Sequence, residues 1–224
     1  ETGFGLSLRA RPIFYNKEAI KPEQLGRYED LADAQFKGEI CIRSSSNIYN
    51  QSLIASMIAA HGEQATLEFA KVFVKNFARP PKGGDRDQIK AAANGVCNIA
   101  IANTYYFGGM TESKNASEKA ATEKVAIFWP NQEGRGTHVN ISGAGVVKTA
   151  KHKAEAIRLL EFLVNKESQA WYANANYEYP VVDGVDANET LQSWGNFKAD
   201  TLNLGRLGEL NRKAVKIMDQ AGWR

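Results

Sequence analysis

Val96-Cys97-Asn98-Ile99-Ala100-Ile101-Ala102 runs straight into Asn103-Thr104-Tyr105-Tyr106-Phe107-Gly108-Gly109, and the fold class turns on how this junction is read. The first part reads as a buried strand, because a short apolar run closed by turn residues is the pattern of a strand covered on both faces. Just upstream, Asp85 is expected to cap a short helix over 86–93, which Asn94-Gly95 stops. Further back, Glu39-Ile40-Cys41-Ile42-Arg43 reads as another strand. It feeds through the polar loop 44–52 into a helix over 47–60, whose Leu53, Ile54, Met57 and Ile58 share one face. A helix over 63–77 follows, with Leu67, Ala70, Val74 and Phe77 at core spacing, and Arg79-Pro80-Pro81-Lys82-Gly83-Gly84 breaks it. Toward the start, residues 10–16 read as a strand, and short helical turns open at Pro22 and Tyr28. Toward the end, strands are expected at 125–128 and 137–141 and helices at 154–164, 168–173 and 204–218. The charged stretch 111–124 reads as surface helix or loop, and Ser142-Gly143-Ala144-Gly145 as punctuation. Strands alternating with helices over short connections predict an α/β fold around mostly parallel sheets.

The composition bounds this reading. With 224 residues, 43% hydrophobic and 24% charged, the chain has the make-up of one large or two small globular domains. Disordered, collagen-like and disulfide-scaffold classes are excluded. There is no apolar run near the roughly 18 residues a membrane-spanning helix needs. The 28 basic and 25 acidic residues leave +3, spread along the chain, too mild for a nucleic-acid-binding face. No signal peptide is visible, and Glu1-Thr2-Gly3 reads as a processed, truncated or engineered start.

Cys41 and Cys97 lie in two of the expected strands. If those strands are neighbours the pair can bond, closing a loop worth about 4 kcal/mol in the chain-entropy model. The alternative is two buried thiols acting as small hydrophobes.

Ligands of open α/β sheets gather beyond the carboxyl ends of strands, and Tyr105 and Tyr106 leave their strand at such an end. A phenol with its ordinary pKa near 10 is a poor ligand for weakly charged metals. A trivalent cation displaces the proton and finds a hard oxygen donor. Taken alone, the pair reads as aromatic packing as readily as ligation. Ser46 is a candidate N-cap for the helix over 47–60, leaving the amides of Asn47, Ile48 and Tyr49 either as an anion site or as ordinary capped amides. That loop also follows a strand, so Tyr49 can project toward the tyrosine pair. Arg43 faces either an anion or a structural salt bridge. His61, His138 and His152 share no metal-ligand spacing, and Gly143-Ala144-Gly145 matches no nucleophile-elbow, P-loop or dinucleotide pattern. No feature of the sequence supports an enzyme.

Residues 41–53, 84–90, 101–106, 130–132 and 136–143 together resemble the ferric-ion-binding periplasmic proteins that serve ABC iron importers, with Ala102-Asn103-Thr104-Tyr105-Tyr106 the most specific part. The resemblance spans essentially the whole chain. It implies a type II periplasmic-binding-protein fold, two α/β lobes joined by a hinge of crossing strands, with the ion in the cleft. On that basis 9–135 forms the second lobe, 136–186 the remainder of the first, and 187–224 helices packing on the second.

Tyr105 and Tyr106 match the family's adjacent tyrosine ligands of Fe3+, and Tyr49 matches a third. Ser46, Asn47 and Asn103, with Arg43 nearby, match the surroundings of a synergistic anion such as carbonate or phosphate. Each ligating phenol gives up a proton, so binding would weaken as pH falls. The implied partner is an ABC permease at the inner membrane. The implied protein is a periplasmic monomer that binds no nucleic acid and is not membrane-embedded, a setting in which a Cys41–Cys97 disulfide is expected. One departure stands out: nothing before Ala10-Arg11 matches the family's opening stretch, which carries further ligands. The expectation is therefore a chain lacking most of its first lobe, a fragment or a redesign. The nearest rival is a binding protein of the same fold that holds a small anion or organic solute at the Ser46 helix end. A third class is an enzyme using tyrosine as acid or base.

Overall fold

The computed structural model describes residues 3–224, so the reading of Glu1-Thr2 lies outside the described residues. Successive side chains of a strand point to opposite faces, and in β2 (Ile13–Asn16) this sorts two cores, with Ile13 on one side and Phe14 on the other. In β4 (Ile99–Ile101), Ile99 and Ile101 join the first core and Ala100 the second. These strands are the middle of a four-stranded sheet completed by β3 (Ile40–Cys41) and β5 (Val125–Phe128), in the order β3-β4-β2-β5. Over the first face lie α1 (Ile48–His61), α2 (Glu63–Lys75) and α9 (Gly205–Gln220), burying Leu53, Ile54, Met57, Phe73, Leu210 and Ile217. Over the second lie α3 (Asp85–Ala93), α4 (Thr104–Thr111) and α5 (Ala116–Lys124), burying Ile89, Ala92, Phe107, Met110 and Ala121. Beyond α9 the Trp223 ring wedges against Phe73 and Phe77, and its indole N–H donates to the Arg43 carbonyl at 2.9 Å. The last residues of the chain thereby hold the loop that follows β3.

A separate ribbon pairs β1 (Phe4–Ala10) with β6 (Val139–Ala144) antiparallel, Ser7 opposite Ser142 and Arg9 opposite Asn140. Tyr179 exchanges both backbone hydrogen bonds with Leu8, at 2.9 and 2.7 Å, and so adds a third segment to the ribbon. α6 (Lys153–Leu163) and α7 (Lys166–Asn176) pack beyond it, with Gln169 donating to the Leu6 carbonyl and accepting from the Val181 amide. The short α8 (Glu189–Ser193) leans on α4. No helix among the described residues is long and apolar enough to cross a membrane.

The α/β class stands, with particular departures. Among the pairings of the described strands only β3–β4 is parallel. β2 enters from the ribbon, not through a crossover helix, and so runs opposite to both β4 and β5. The strand read over 10–16 is the end of β1 and the whole of β2, separated at Arg11-Pro12, where proline offers no N–H to a ladder. The strand read over 137–141 is shifted into β6 and runs through Gly143. Asp85 does not cap α3: Gly84 holds that position, its amide donating to Asp87 at 2.8 Å, and Asp85 turns into the interior. Ser46 is likewise displaced as a cap by Asn47, whose side chain accepts from the Tyr49 amide at 3.1 Å.

Cys41 and Cys97 form a disulfide, their Cα atoms 5.9 Å apart, which ties β3 to the approach of β4. Replacing both cysteines with alanine is expected to lower stability by about 3 kcal/mol. The check is urea denaturation with midpoint and slope both fitted, since freeing the unfolded chain changes the slope, and a loss below about 1 kcal/mol would show that the bond constrains little.

Glu29 ties the turn after β5 to the end of α1. It accepts from Asn131 Nδ2 at 3.0 Å, lies 2.6 Å from Arg135 Nη2, and pairs with His61 Nε2 at 2.9 Å. Burial by itself pushes this carboxyl up, but the Asn131 hydrogen bond and the Arg135 charge outweigh it and hold the group at about 2, against an ordinary 4.5. Because the folded value lies below the unfolded one, the stability Glu29 contributes is full above about pH 4.5 and is lost as pH falls toward 2. Denaturation at neutral and acid pH is expected to show roughly 1–2 kcal/mol less acid sensitivity in Glu29→Gln. Equal acid sensitivity in the two proteins would remove Glu29 from the account.

Candidate metal centre

The parallel β3–β4 pairing sets the site. β3 and β4 point the same way, so the helices that follow them, α1 and α4, start side by side at one edge of the sheet. Tyr49 is the second residue of α1, while Tyr105 and Tyr106 are the second and third of α4. Tyr49 Oη and Tyr105 Oη lie 2.9 Å apart, and the Tyr105 and Tyr106 rings stack with centroids 4.3 Å apart. Three phenols from two helix starts therefore converge, each at a positive dipole end that favours negative charge on oxygen.

Beneath them lies a buried platform that the sequence did not disclose. Arg11 is 1% exposed. Its Nη1 donates to Asn103 Oδ1 at 2.8 Å and to Asp85 Oδ2 at 3.2 Å, and its Nη2 donates to Asn50 Oδ1 at 2.6 Å. Asp85, fully buried, also accepts from Arg43 Nη1 at 3.2 Å and from the Asn103 amide at 2.6 Å. Asn50 closes the network by donating to the Arg43 carbonyl at 2.9 Å. A buried carboxylate is tolerable only when paired and hydrogen-bonded in this way. The platform grips Asn103, two residues before Tyr105, and Asn50, next after Tyr49, and so ties the two helix starts together.

The guanidinium carbons of Arg9, Arg11 and Arg43 stand 5.6, 5.7 and 5.7 Å from the Tyr49 ring centre, and Arg86 stands 6.0 Å from that of Tyr106. Without a cation, burial pushes the Tyr105 phenol up, and hydrogen bonds with Tyr106 and Tyr49 add to the rise. Burial raises Tyr106 as well. A cation entering here must displace protons, which a trivalent ion does and a weakly charged one does not.

The sequence-derived residues fall into two groups. Tyr49, Tyr105, Tyr106, Asn103 and Arg43 come together. Ser46 and Asn47 stand at the start of α1 with their donors largely engaged: the Ser46 amide bonds Ser44 Oγ, and the Asn47 amide bonds the Ser44 carbonyl. Arg43 has Asp85 as its ion partner, and the Asn103 side chain is held by Arg11. Arg9, Arg11 and Asn50 carry no local signal of a role here, and Asp85, expected as a helix cap, instead anchors the platform. His138 is buried against Ser52 at 3.0 Å, and burial first, then the Arg11 and Arg135 charges, hold its imidazole down at about 3 and so neutral. Among the described residues no three His, Cys, Asp or Glu side chains converge as a metal site.

Comparison with known proteins bears on this geometry. The family model described as bacterial extracellular solute-binding protein matches residues 5–200. Iron uptake protein A1 of Synechocystis sp. is 53% identical over 221 residues, covering 99% of this chain and 61% of that protein. The chain thus spans about three fifths of the length of that curated relative. Among solved structures, Trichodesmium IdiA/FutA in complex with iron and citrate ligands superposes with a TM-score of 0.97 at 52% identity, over 99% of this chain and 70% of that one. The ferric binding protein from Campylobacter jejuni gives 0.95 at 39% identity, over 100% and 71%.

Proposed function

The chain belongs to the bacterial extracellular solute-binding protein family, and from that premise we propose that it binds ferric iron through the phenolic oxygens of Tyr49, Tyr105 and Tyr106. The observation that carries this reading is the convergence of three phenols at two adjacent helix starts, with Tyr49 Oη and Tyr105 Oη 2.9 Å apart. Three phenolates match the charge of a hard trivalent ion, and the surrounding guanidinium groups favour the phenolate form. The relatives' names, iron uptake and ferric binding, support the same cargo.

In this reading 9–135 and 187–224 form one lobe, 136–186 contributes to another, and β1, β6 and the Tyr179 segment cross between them. The protein works in the periplasm as a monomer and hands the ion to an ABC permease at the inner membrane. It makes and breaks no substrate bond, so it is a carrier and not an enzyme. A synergistic anion such as carbonate or phosphate fills coordination positions that the tyrosines leave open, beside Asn103 and the Ser46-Asn47 turn. Acid or reduction to Fe2+ releases the cargo, because both weaken the phenolate bonds.

The test is a visible absorption titration of the chain with ferric citrate. A saturable phenolate-to-iron charge-transfer band supports the reading. A folded chain that gives no band yet binds phosphate or a small organic acid would favour the rival, a same-fold binder holding its solute at the start of α1.

A further inference from the structure

The tyrosines stand beside the place where three segments cross, and one buried carboxylate is shared by all three. Glu178 precedes Tyr179 in the third segment. It accepts from Ser7 Oγ of β1 at 2.5 Å and from Ser142 Oγ of β6 at 3.0 Å. Arg9, two residues beyond Ser7 and on the same face of β1, donates to that same Ser142 hydroxyl, its Nη1 4.0 Å from Glu178. Held there, its guanidinium carbon lies 5.6 Å from the Tyr49 ring centre and 6.0 Å from that of Tyr105. The β1–β6 ladder is closed by backbone bonds and needs none of these side chains. A carboxylate withdrawn from water needs partners, and Glu178 draws them from both of the other segments, with its cation set against the phenols.

We infer that Glu178 is a positioning residue for the tyrosine cluster, acting through Arg9, so that a relative shift of the three crossing segments changes the hold on the iron. The inference rests on the ferric reading of the site. A guanidinium against ring faces gains strength when those rings carry phenolate charge in a water-poor setting. Freed from its carboxylate, the Arg9 side chain, already 17% exposed, turns to water and that attraction is lost. Segments crossing between bodies absorb a hinge rotation. A rotation that parts residue 178 from β1 and β6 therefore loosens Arg9 in the same movement.

The test uses the full chain with Glu178→Gln, Arg9→Gln and the double variant. Ferric release to a strong chelator is expected to run roughly tenfold faster in each single variant. The double should be no faster than either, since both break one line of contacts. The charge-transfer band should also shift in the single variants, which simple loss of stability would not cause. Rates within about twofold of the unaltered protein, or additive effects, overturn the inference. A second measurement needs no iron: the Arg9 Nε–H resonance, displaced by the Tyr49 and Tyr105 rings, should move toward that of an exposed arginine in Glu178→Gln. If it stays in place the inference fails whatever iron does. If it moves while the unaltered chain gives no band, the positioning contact holds and the ferric reading is what fails.

Discussion

Tyr105→Phe is expected to remove most of the ferric charge-transfer band and to lower ferric affinity by at least about a hundredfold, because even second-sphere partners of metal ligands are worth 10–100-fold. Tyr105 is the middle phenol of the three, bonded to Tyr49 and stacked on Tyr106. Phenylalanine keeps the ring and the helix start while deleting one anionic oxygen, so lost affinity is not lost folding. In the proposed site the same phenols would set the pH dependence. Burial first, then the neighbouring phenols, raises Tyr105, and burial raises Tyr106, so both are protonated before the ion arrives. In the proposed site each ligating phenol releases a proton on binding, so affinity is expected to fall as pH falls, by roughly tenfold per pH unit for each proton released. Competition against a chelator at several pH values measures this slope. An affinity flat in pH, or an unchanged band in Tyr105→Phe, would take the tyrosines out of the site.

Asp85→Ala carries the second large effect, on stability and on the site together. The Asp85 carboxylate is the shared partner of Arg11, Arg43 and the Asn103 amide. Removing it strands the Arg11 guanidinium, 2% exposed, in the interior. Breaking one side of a buried ion pair costs about 3–5 kcal/mol, a large share of a typical total of roughly 5–15 kcal/mol. Asp85→Asn keeps an acceptor without the charge and should fall between the two. Urea denaturation followed by circular dichroism gives the number, and a loss under about 1 kcal/mol would mean that water replaces the carboxylate with ease. Whatever fraction folds should bind iron poorly, since the cap of α4 and the end of β3 are no longer held in register.

The elements were legible where they depend on neighbours in sequence. Leu53, Ile54, Met57 and Ile58 mark the buried face of α1, and Ile99, Ala100 and Ile101 mark a strand covered on both sides. The tyrosine pair was legible because it leaves that strand at its carboxyl end. Strand bounds were harder: the strand expected over 10–16 runs through Arg11-Pro12, where the structure instead ends β1 and starts β2. The two expected caps fail for different reasons. Asp85 serves the distant Arg11 and Asn103 instead, and Ser46 yields the cap to its neighbour Asn47 while bonding Ser44 nearby, choices that residue type alone does not record.

The sequence by itself determined the α/β class, the two strand-to-helix junctions that carry Tyr49 and Tyr105-Tyr106, and the chemistry those phenols offer a hard cation. These follow from apolar periodicity and residue type, which act over a few positions. Tertiary structure alone decided that the junctions lie side by side and that Arg11 holds Asn50, Asp85 and Asn103, which stand 39, 74 and 92 positions away. It also placed Glu178 between β1 and β6. Such contacts carry no local pattern because in the open chain each charge is satisfied by water. They acquire their strength only when packing excludes water and leaves these groups no partners but one another.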